Sequence, residues 1–304
     1  MEALHRSEVQ AARMEETRGG KTVVLGGSSC RTSYIPSVLA EEYSIPFANF
    51  GLHAGFGPDV VAEIAMRYVN PGDTVVVAIE PGTLKATGPS KPKSAGLDFL
   101  AAVDGLTAHD LKFVDISPLR FVDRLLGSTR YNLFMAMKRL RGMEPYRYTA
   151  VDNLHDDGWM EVSERRDLPF STNSAPVGKW RVGESGRELL RKIQEECSGR
   201  GCKVMYQLPP ALDGNPNSKY GFARLLLDVA EIMPVVKDPM LGVNPNPEEF
   251  ADTFQHPARA GALRATRSFG KALAEKSFWT KGELEAIVED GERSGAFNQS
   301  MAKR

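Results

Sequence analysis

The stretch Lys21-Thr-Val-Val-Leu-Gly-Gly-Ser28-Ser29-Cys30 decides the fold. Val23 to Leu25 form a continuous apolar run, which is typical of a strand buried on both faces, and two glycines then allow a tight turn. Ser28 therefore stands directly after the carboxyl end of a core strand. Because ligands of open α/β sheets bind at that edge, the stretch predicts both a parallel sheet and a candidate site.

Strand and helix signals alternate through the first eighty residues and again near the carboxyl end. The predicted strands are 23–25, 46–50, 74–79, 203–208 and a short fifth strand at Val235 and Val236; the predicted helices are 35–43, 58–68, 184–196, 221–232 and 260–274. Such alternation builds βαβ units. We therefore expect a three-layer α/β/α fold with a parallel sheet of about five strands.

The middle of the chain interrupts this alternation. Residues 83–93 are rich in Gly, Pro, Ser and Lys, residues 121–143 have a helical pattern, and residues 145–180 show few regular signals. The sequence thus predicts a flexible amino-terminal segment at 1–20, one α/β domain at 21–278 with an insertion at about 83–180, and a helix with a tail at 279–304. The insertion is equally consistent with a lid or side wall over a site and with a surface segment that has no role in chemistry.

Composition excludes several classes of partner. The 304 residues include 38 basic and 39 acidic ones, so a formal net charge of -1 gives no field for nucleic acid or an anionic membrane surface. Three cysteines form no disulfide framework, which favours a reducing compartment. No apolar stretch reaches membrane-spanning length, and residues 1–21 do not form a signal peptide. We expect a cytoplasmic protein, unless an anchoring segment lies outside this chain.

Asp252-Thr-Phe-Gln-His256 supplies the other parts of a possible catalytic triad. A serine hydroxyl becomes a good nucleophile when a histidine takes its proton and a carboxylate orients that histidine. Taken singly, each residue has an ordinary alternative: Gly-Gly-Ser-Ser is common turn chemistry, Asp252 suits a cap, and His256 suits an exposed loop. A phosphate loop is disfavoured, because the turn has no Gly-Lys-Ser/Thr continuation, and a dinucleotide fold would need a third glycine that is missing here.

Further motifs link these pieces to a known family. Asn49-Phe-Gly51-Leu-His53-Ala-Gly55 follows the second strand, and Pro71-Gly-Asp-Thr-Val-Val-Val77 leads into the third. In this order the chain resembles the SGNH or GDSL-type hydrolase superfamily, and within it a poorly characterised bacterial branch with a Gly-Gly-Ser nucleophile turn. The resemblance implies an SGNH-hydrolase-like, flavodoxin-like fold.

The resemblance also implies roles for individual residues. Ser28 would be the nucleophile, His256 the general base and then acid, and Asp252 its orienting carboxylate. The amides of Ser28 and Gly51 would donate to the oxyanion. Gly27 belongs to the oxyanion and substrate-binding group, and as a glycine it lets the backbone turn sharply there.

Two positions depart from the family pattern. Gly27 replaces the usual aspartate, and Ala78-Ile-Glu80-Pro-Gly82 replaces the block that carries the oxyanion asparagine. Glu80 would bind a hydroxyl or cation of the substrate, or else a neighbouring loop amide. Asn49 would either replace the missing amide or tie adjacent loops together, and His53 would line the cleft or pack behind it.

The segment Asp152-Asn-Leu-His-Asp-Asp-Gly-Trp159 holds a further group of polar residues. His155, Asp156 and Asp157 are adjacent, so they cannot all face one ion from a regular element, and we expect no metal site. Trp159 would cover an acyl or sugar group, or anchor the insertion to the body of the protein. We expect no cofactor.

These features predict a serine-dependent acyl-ester hydrolase or O-acyltransferase that works through an acyl-enzyme on Ser28. The expected substrate is a small-molecule or glycan acyl ester, while the oligomeric state stays open. The main alternative is a catalytically silent SGNH-like protein that binds a glycan or a partner, because the oxyanion asparagine is missing. A nucleotide-binding α/β protein is a third possibility, which the charge pattern does not favour.

Overall fold

The structure is a computed structural model that describes residues 2–15, 20–85, 112–114, 137, 154–162, 180–213, 217–251 and 253–297. Its centre is a parallel sheet of four strands in the spatial order β2-β1-β3-β4. The strands are β1 (Thr22–Gly26), β2 (Phe47–Gly51), β3 (Thr74–Ala78) and β4 (Lys203–Tyr206). The sequence thus predicted the fold class and these four strands.

The predicted fifth strand is reduced to a single bridge with β4. Val235 forms an isolated parallel bridge with Tyr206, and Val236 already pairs in the antiparallel direction with Phe278. The next residue, Lys237, donates its amide to Ser277 O at 3.0 Å. Because the chain leaves the sheet edge to pair with this segment, the described residues form a sheet of four strands rather than about five.

Helices occupy most of the remaining described chain. They are α1 (Glu2–Arg13), α2 (Ser28–Ser33), α3 (Pro36–Tyr43), α4 (Pro58–Ala65), α5 (Pro81–Leu84), α6 (Glu184–Arg200), α7 (Ser218–Ala230), α8 (Arg259–Ala274) and α9 (Lys281–Arg293). A separate two-stranded pair joins β5 (Ala211–Leu212) to β6 (Val243–Asn244). Proline at the first position of α3 and α4 suits a helix start, since its missing amide hydrogen has no intrahelical partner there.

The helices cover both faces of the sheet. Successive strand residues point to opposite faces, so Val23 and Leu25 pack with α4, α6 and α7, while Val24 packs on the other side. On that second side the sheet meets Cys30, Tyr34, Leu39 and Phe269 of the α2, α3 and α8 region. Burial on both faces explains the continuous apolar runs in the sequence.

The amino-terminal segment was predicted to be flexible, but most of its described residues form a helix. Residues 2–13 form α1, and Leu4, Ser7 and Ala11 are buried along one side of it. The Ser7 hydroxyl donates to Asn49 O at 2.6 Å, which joins α1 to β2. Only Leu4 and Ala11 are apolar among the buried residues of this polar and charged segment, so the sequence alone did not reveal this helix.

Most of the predicted insertion lies outside the described residues, including the helix expected at 121–143 except for Met137. Thr83 and Leu84 belong to α5 rather than to a loop, and residues 86–93 are not among those described. Within the described ranges, every helix is too short or too polar to cross a membrane.

Candidate active site

Ser28 and His256 meet although 228 positions separate them in the chain. The distance between Ser28 Oγ and His256 Nε2 is 2.9 Å, which is a hydrogen-bond distance. β1 ends at Gly26, Gly27 keeps an extended backbone, and Ser28 is the first residue of α2. The serine therefore stands at the carboxyl edge of the sheet, where the sequence predicted it.

A tight loop between β6 and α8 holds His256. Its backbone carbonyl accepts from Ala251 N at 2.9 Å, and Phe250 and Pro257 form an antiparallel bridge across the loop. His256 is only 6% exposed. Since α8 starts three residues later and packs against α2 and α3, this loop is fixed relative to Ser28.

Asp252 lies outside the described residues. Its role as the carboxylate that orients His256 stays a prediction from the sequence. Its neighbours Ala251 and Thr253 belong to the same loop as His256, and His256 N donates to Thr253 O at 3.4 Å.

Glu80 extends beneath the serine turn from the end of β3. Its Oε1 accepts a hydrogen bond from the Ser29 hydroxyl at 2.5 Å, and the residue is buried. A side chain on residue 27 would overlap the Glu80 carboxylate, so glycine at 27 is what makes room for it. The bound group is thus a neighbouring serine hydroxyl, whereas the sequence predicted a substrate group or a loop amide.

Asn49 ties the end of β2 to α2. Its Nδ2 donates to Cys30 O at 3.3 Å and to Tyr34 O at 3.1 Å, and its Oδ1 accepts from Gly51 N at 2.9 Å. Asn49 therefore ties adjacent segments together, which is one of the two roles that the sequence left open for it. Its Oδ1 also engages the Gly51 amide, which the family resemblance assigned to the oxyanion. Gly51 itself packs so closely on the Arg31 backbone that a β-carbon there would collide with it.

Arg31 is a buried cation on the same helix as Ser28, three residues further on. Its guanidinium donates to Gly51 O, to Asn49 O at 3.2 Å, to Ser7 Oγ at 3.0 Å and to Gly158 O at 3.1 Å. Burial lowers the pKa of Arg31 to about 10. The sequence analysis missed this residue, because an arginine in a polar turn gives no signal of burial.

Cys30 adjoins the same turn but has the properties of a packed side chain. The residue is completely buried, and burial raises the pKa of its thiol well above the ordinary value, with Glu80 adding to the effect. Since the thiolate is the reactive form, this thiol is a poor nucleophile at neutral pH.

His53 caps a short 3-10 turn after β2. Its Nδ1 accepts from Gly55 N at 2.9 Å, and its ring packs against Phe56. The residue is exposed rather than packed behind the cleft, which was the alternative to a lining role.

The polar residues around Trp159 point to separate partners. His155 Nε2 lies 3.1 Å from Glu161, Asp156 pairs with Arg6 at 2.8 Å, and Asp157 Oδ2 accepts from Ser37 N at 3.1 Å. Trp159 is buried, and its indole donates to Thr32 O at 3.0 Å. Trp159 therefore anchors this part of the insertion to α2, and the described ranges contain no cluster suited to a metal.

Comparison with known proteins gave no match at a significant level to any family model, curated protein or solved structure.

Proposed function

We propose that this protein is a serine-dependent acyl-ester hydrolase or O-acyltransferase with Ser28 as its nucleophile. The observation that carries the proposal is the 2.9 Å distance between Ser28 Oγ and His256 Nε2 at the carboxyl edge of a parallel sheet. A histidine in this position can accept the hydroxyl proton as the oxygen attacks.

The proposed reaction has two stages. Ser28 Oγ attacks the ester carbonyl while its proton moves to His256 Nε2, and the tetrahedral intermediate then expels the alcohol, which takes that proton. The acyl-enzyme is next attacked by water or by an acceptor alcohol, again with His256 as base and then acid. Asp252 would keep the imidazole in the required tautomer.

The oxyanion would receive donors from the start of α2. The Ser28 amide belongs to the first turn of that helix, where amide hydrogens have no intrahelical acceptor. In the structure the Gly51 amide donates to Asn49 Oδ1. It can become a second donor to the oxyanion only if that hydrogen bond breaks. We therefore expect slow turnover, because loss of one donor costs about a hundredfold or more.

The finer fold assignment belongs to the same proposal. The strand order β2-β1-β3-β4 and the serine directly after β1 support an SGNH-like fold. The thiols of Cys30, Cys197 and Cys202 are free, which supports a reducing, cytoplasmic setting.

The test is covalent labelling with a fluorophosphonate, followed by mapping of the adduct by mass spectrometry. We expect one adduct on Ser28, no adduct in Ser28→Ala, and labelling slowed about a thousandfold in His256→Ala. Ser37→Ala and His5→Ala, which alter residues outside the site, serve as matched controls and should label normally. An adduct that persists in folded Ser28→Ala would contradict the nucleophile assignment.

A second candidate function is binding without catalysis. The engagement of the Gly51 amide by Asn49, and the presence of Glu80 where the family places an asparagine, favour it. A protein of this kind would bind a glycan or partner equally well with Ser28→Ala and His256→Ala. Hydrolysis of a small activated ester that depends on Ser28 would exclude this reading.

A further inference from the structure

Glu80 is a buried acidic residue that takes no part in the reaction proposed for Ser28. It is 5% exposed, and its Oε1 accepts a hydrogen bond from the Ser29 hydroxyl at 2.5 Å. Removing a carboxylate from water is costly, so buried carboxylates are held by hydrogen bonds or paired charges. A carboxylate that is buried directly beside the serine turn therefore points to a role at that turn.

The backbone that carries Glu80 is fixed on both sides. Before it, Ile79 O accepts from the Tyr206 hydroxyl at 2.8 Å. After it, Glu80 O accepts from the amides of Thr83 and Leu84 at 2.9 and 3.2 Å, where α5 begins. Because both flanks are held, the carboxylate extends from a fixed point at the end of β3, and its bond to Ser29 transmits that position to α2.

Ser28 and Ser29 are adjacent in the first turn of α2, but their side chains have different surroundings. With 3.6 residues per turn, successive helical side chains are rotated by about 100°. Ser29 is 1% exposed and directed at Glu80, whereas Ser28 is partly exposed and lies against His256. A bond that fixes Ser29 therefore also fixes the rotation of the turn that directs Ser28.

Contacts from both strands that flank β1 hold α2. From β2, Gly51 O accepts from the guanidinium of Arg31. From the end of β3, Glu80 accepts from Ser29. Since β2 and β3 lie on opposite sides of β1, these two contacts hold the helix from opposite directions. Loss of the Glu80 contact would remove the support on the β3 side that these bonds provide.

The same contact gives the two serine hydroxyls different chemistry. The Ser29 hydrogen is directed at a carboxylate, and negative charge that developed on Ser29 Oγ during an attack would be repelled by that carboxylate. Ser28 Oγ lies 2.9 Å from His256 Nε2, which can take its proton. Glu80 thus favours Ser28 over its neighbour as the reactive serine.

We infer that Glu80 is a positioning residue for the nucleophile. Through Ser29 it sets the rotation of the first turn of α2, and thereby the placement of Ser28 Oγ relative to His256 Nε2. The inference rests on the proposed function, because it requires Ser28 to be the nucleophile. Its effect on rate is geometric, since a misplacement of about 1 Å at a reacting group can cost about a hundredfold.

The test measures the rate of fluorophosphonate labelling at Ser28 in variants of Glu80. Glu80→Met fills a similar space without an acceptor, and we expect labelling to be slowed about ten- to a hundredfold. Glu80→Gln retains an acceptor oxygen for Ser29 and should stay within about threefold of the wild-type rate. A wild-type rate in Glu80→Met, or an equal loss in both variants, would overturn the inference.

A double-mutant cycle shows whether Glu80 acts through Ser29. Ser29→Ala should slow labelling about as much as Glu80→Met, and the variant with both changes should be no slower than either one, because both remove the same bond. If the two losses multiply in the double variant, Glu80 and Ser29 act independently and the positioning role is wrong.

Asp73→Asn separates positioning from a general loss of stability. Asp73 is a buried carboxylate at the opposite end of β3, where it accepts from the amides of Lys21 and Asn70 at 2.9 and 2.8 Å and pairs with Lys21 Nζ at 2.8 Å. Each variant is labelled well below its own melting temperature. Asp73→Asn should lower the melting temperature and leave the labelling rate unchanged. A loss of rate equal to that of Glu80→Met would reduce the effect of Glu80 to one of stability and contradict the inference.

The outcomes separate this inference from the proposed function. Failure of the wild-type protein to label would refute the proposed function, and the positioning role with it. Labelling of Ser28 at the same rate in the wild type, Glu80→Met and Ser29→Ala would refute the positioning role alone and leave the nucleophile assignment standing.

Discussion

Gly27 and Glu80 share one small volume at the carboxyl edge of the sheet. The Glu80 carboxylate lies where a side chain of residue 27 would otherwise be. It accepts a hydrogen bond from the Ser29 hydroxyl at 2.5 Å. The carboxylate that contacts the serine turn thus comes from the end of β3, and a glycine at position 27 leaves the space that it occupies.

Gly27→Ala should therefore be destabilising. We expect a loss of about 1–3 kcal/mol in the free energy of unfolding, measured in urea, because the new methyl group displaces Glu80 and its bond to Ser29. The penalty should shrink in a Glu80→Ala background. Gly82→Ala is the control, since a β-carbon there meets open space. Equal stability of the two alanine variants would contradict the steric relationship.

Arg31→Lys should lower both the stability of the fold and the reactivity of Ser28. A lysine cannot reach all four acceptors of the guanidinium, so we expect a loss of about 3 kcal/mol in urea unfolding and slower labelling of Ser28. The exposed Arg191→Lys provides the comparison. If Arg31→Lys changes stability by less than about 0.5 kcal/mol, the guanidinium does not hold α2 in place.

Asp252→Asn tests the part of the triad that the sequence alone supplies. An asparagine would favour the wrong tautomer of His256, so ester hydrolysis should fall by up to about 10⁴-fold with little change in substrate affinity. Asp290→Asn removes a carboxylate far along the chain and should leave hydrolysis unchanged. Full activity in Asp252→Asn would mean that another group orients the histidine.

Glu283 should make stability depend on pH in the acid range. Its bond to Lys237 and its bonds to Thr280 lower the pKa of the carboxyl from 4.5 to about 2. Because the folded state holds the proton less tightly than the unfolded state, the contribution is complete above pH 4.5 and is lost as the pH falls towards 2. The melting temperature of Glu283→Gln should lie below that of the wild type at neutral pH and approach it near pH 2.

The control for that measurement is Glu285→Gln. Glu285 lies 3.7 Å from Lys281 on the surface of α9, and exposed pairs of this kind contribute little. A difference for Glu283→Gln that stays constant from neutral pH to pH 2 would contradict the role of the ionised carboxylate.

The sequence predicted those features that depend on local pattern. The continuous apolar runs at 23–25 and 74–79 predicted buried strands, and the order of the motifs predicted that Ser28 and His256 would be neighbours. Their atoms lie 2.9 Å apart, while their catalytic roles stay predictions.

Features that depend on tertiary contacts escaped sequence reasoning. The burial of Arg31, the capture of the Gly51 amide by Asn49 and the docking of α1 each require partners from distant parts of the chain. Val235 and Val236 have the composition of a strand, yet pairing with Phe278 takes the chain off the sheet edge. Pattern alone cannot show which of two partners a short apolar pair will choose.

The guanidinium of Arg31 also has a consequence for the kinetics of folding. It collects acceptors from Ser7, from the end of β2 and from Gly158, so its contacts span some 150 positions of sequence. Closing such long loops is slow, so we expect the contacts of the guanidinium to form after those within the sheet. A reactive serine would then be acquired late in refolding, after the β1 and β3 core has formed.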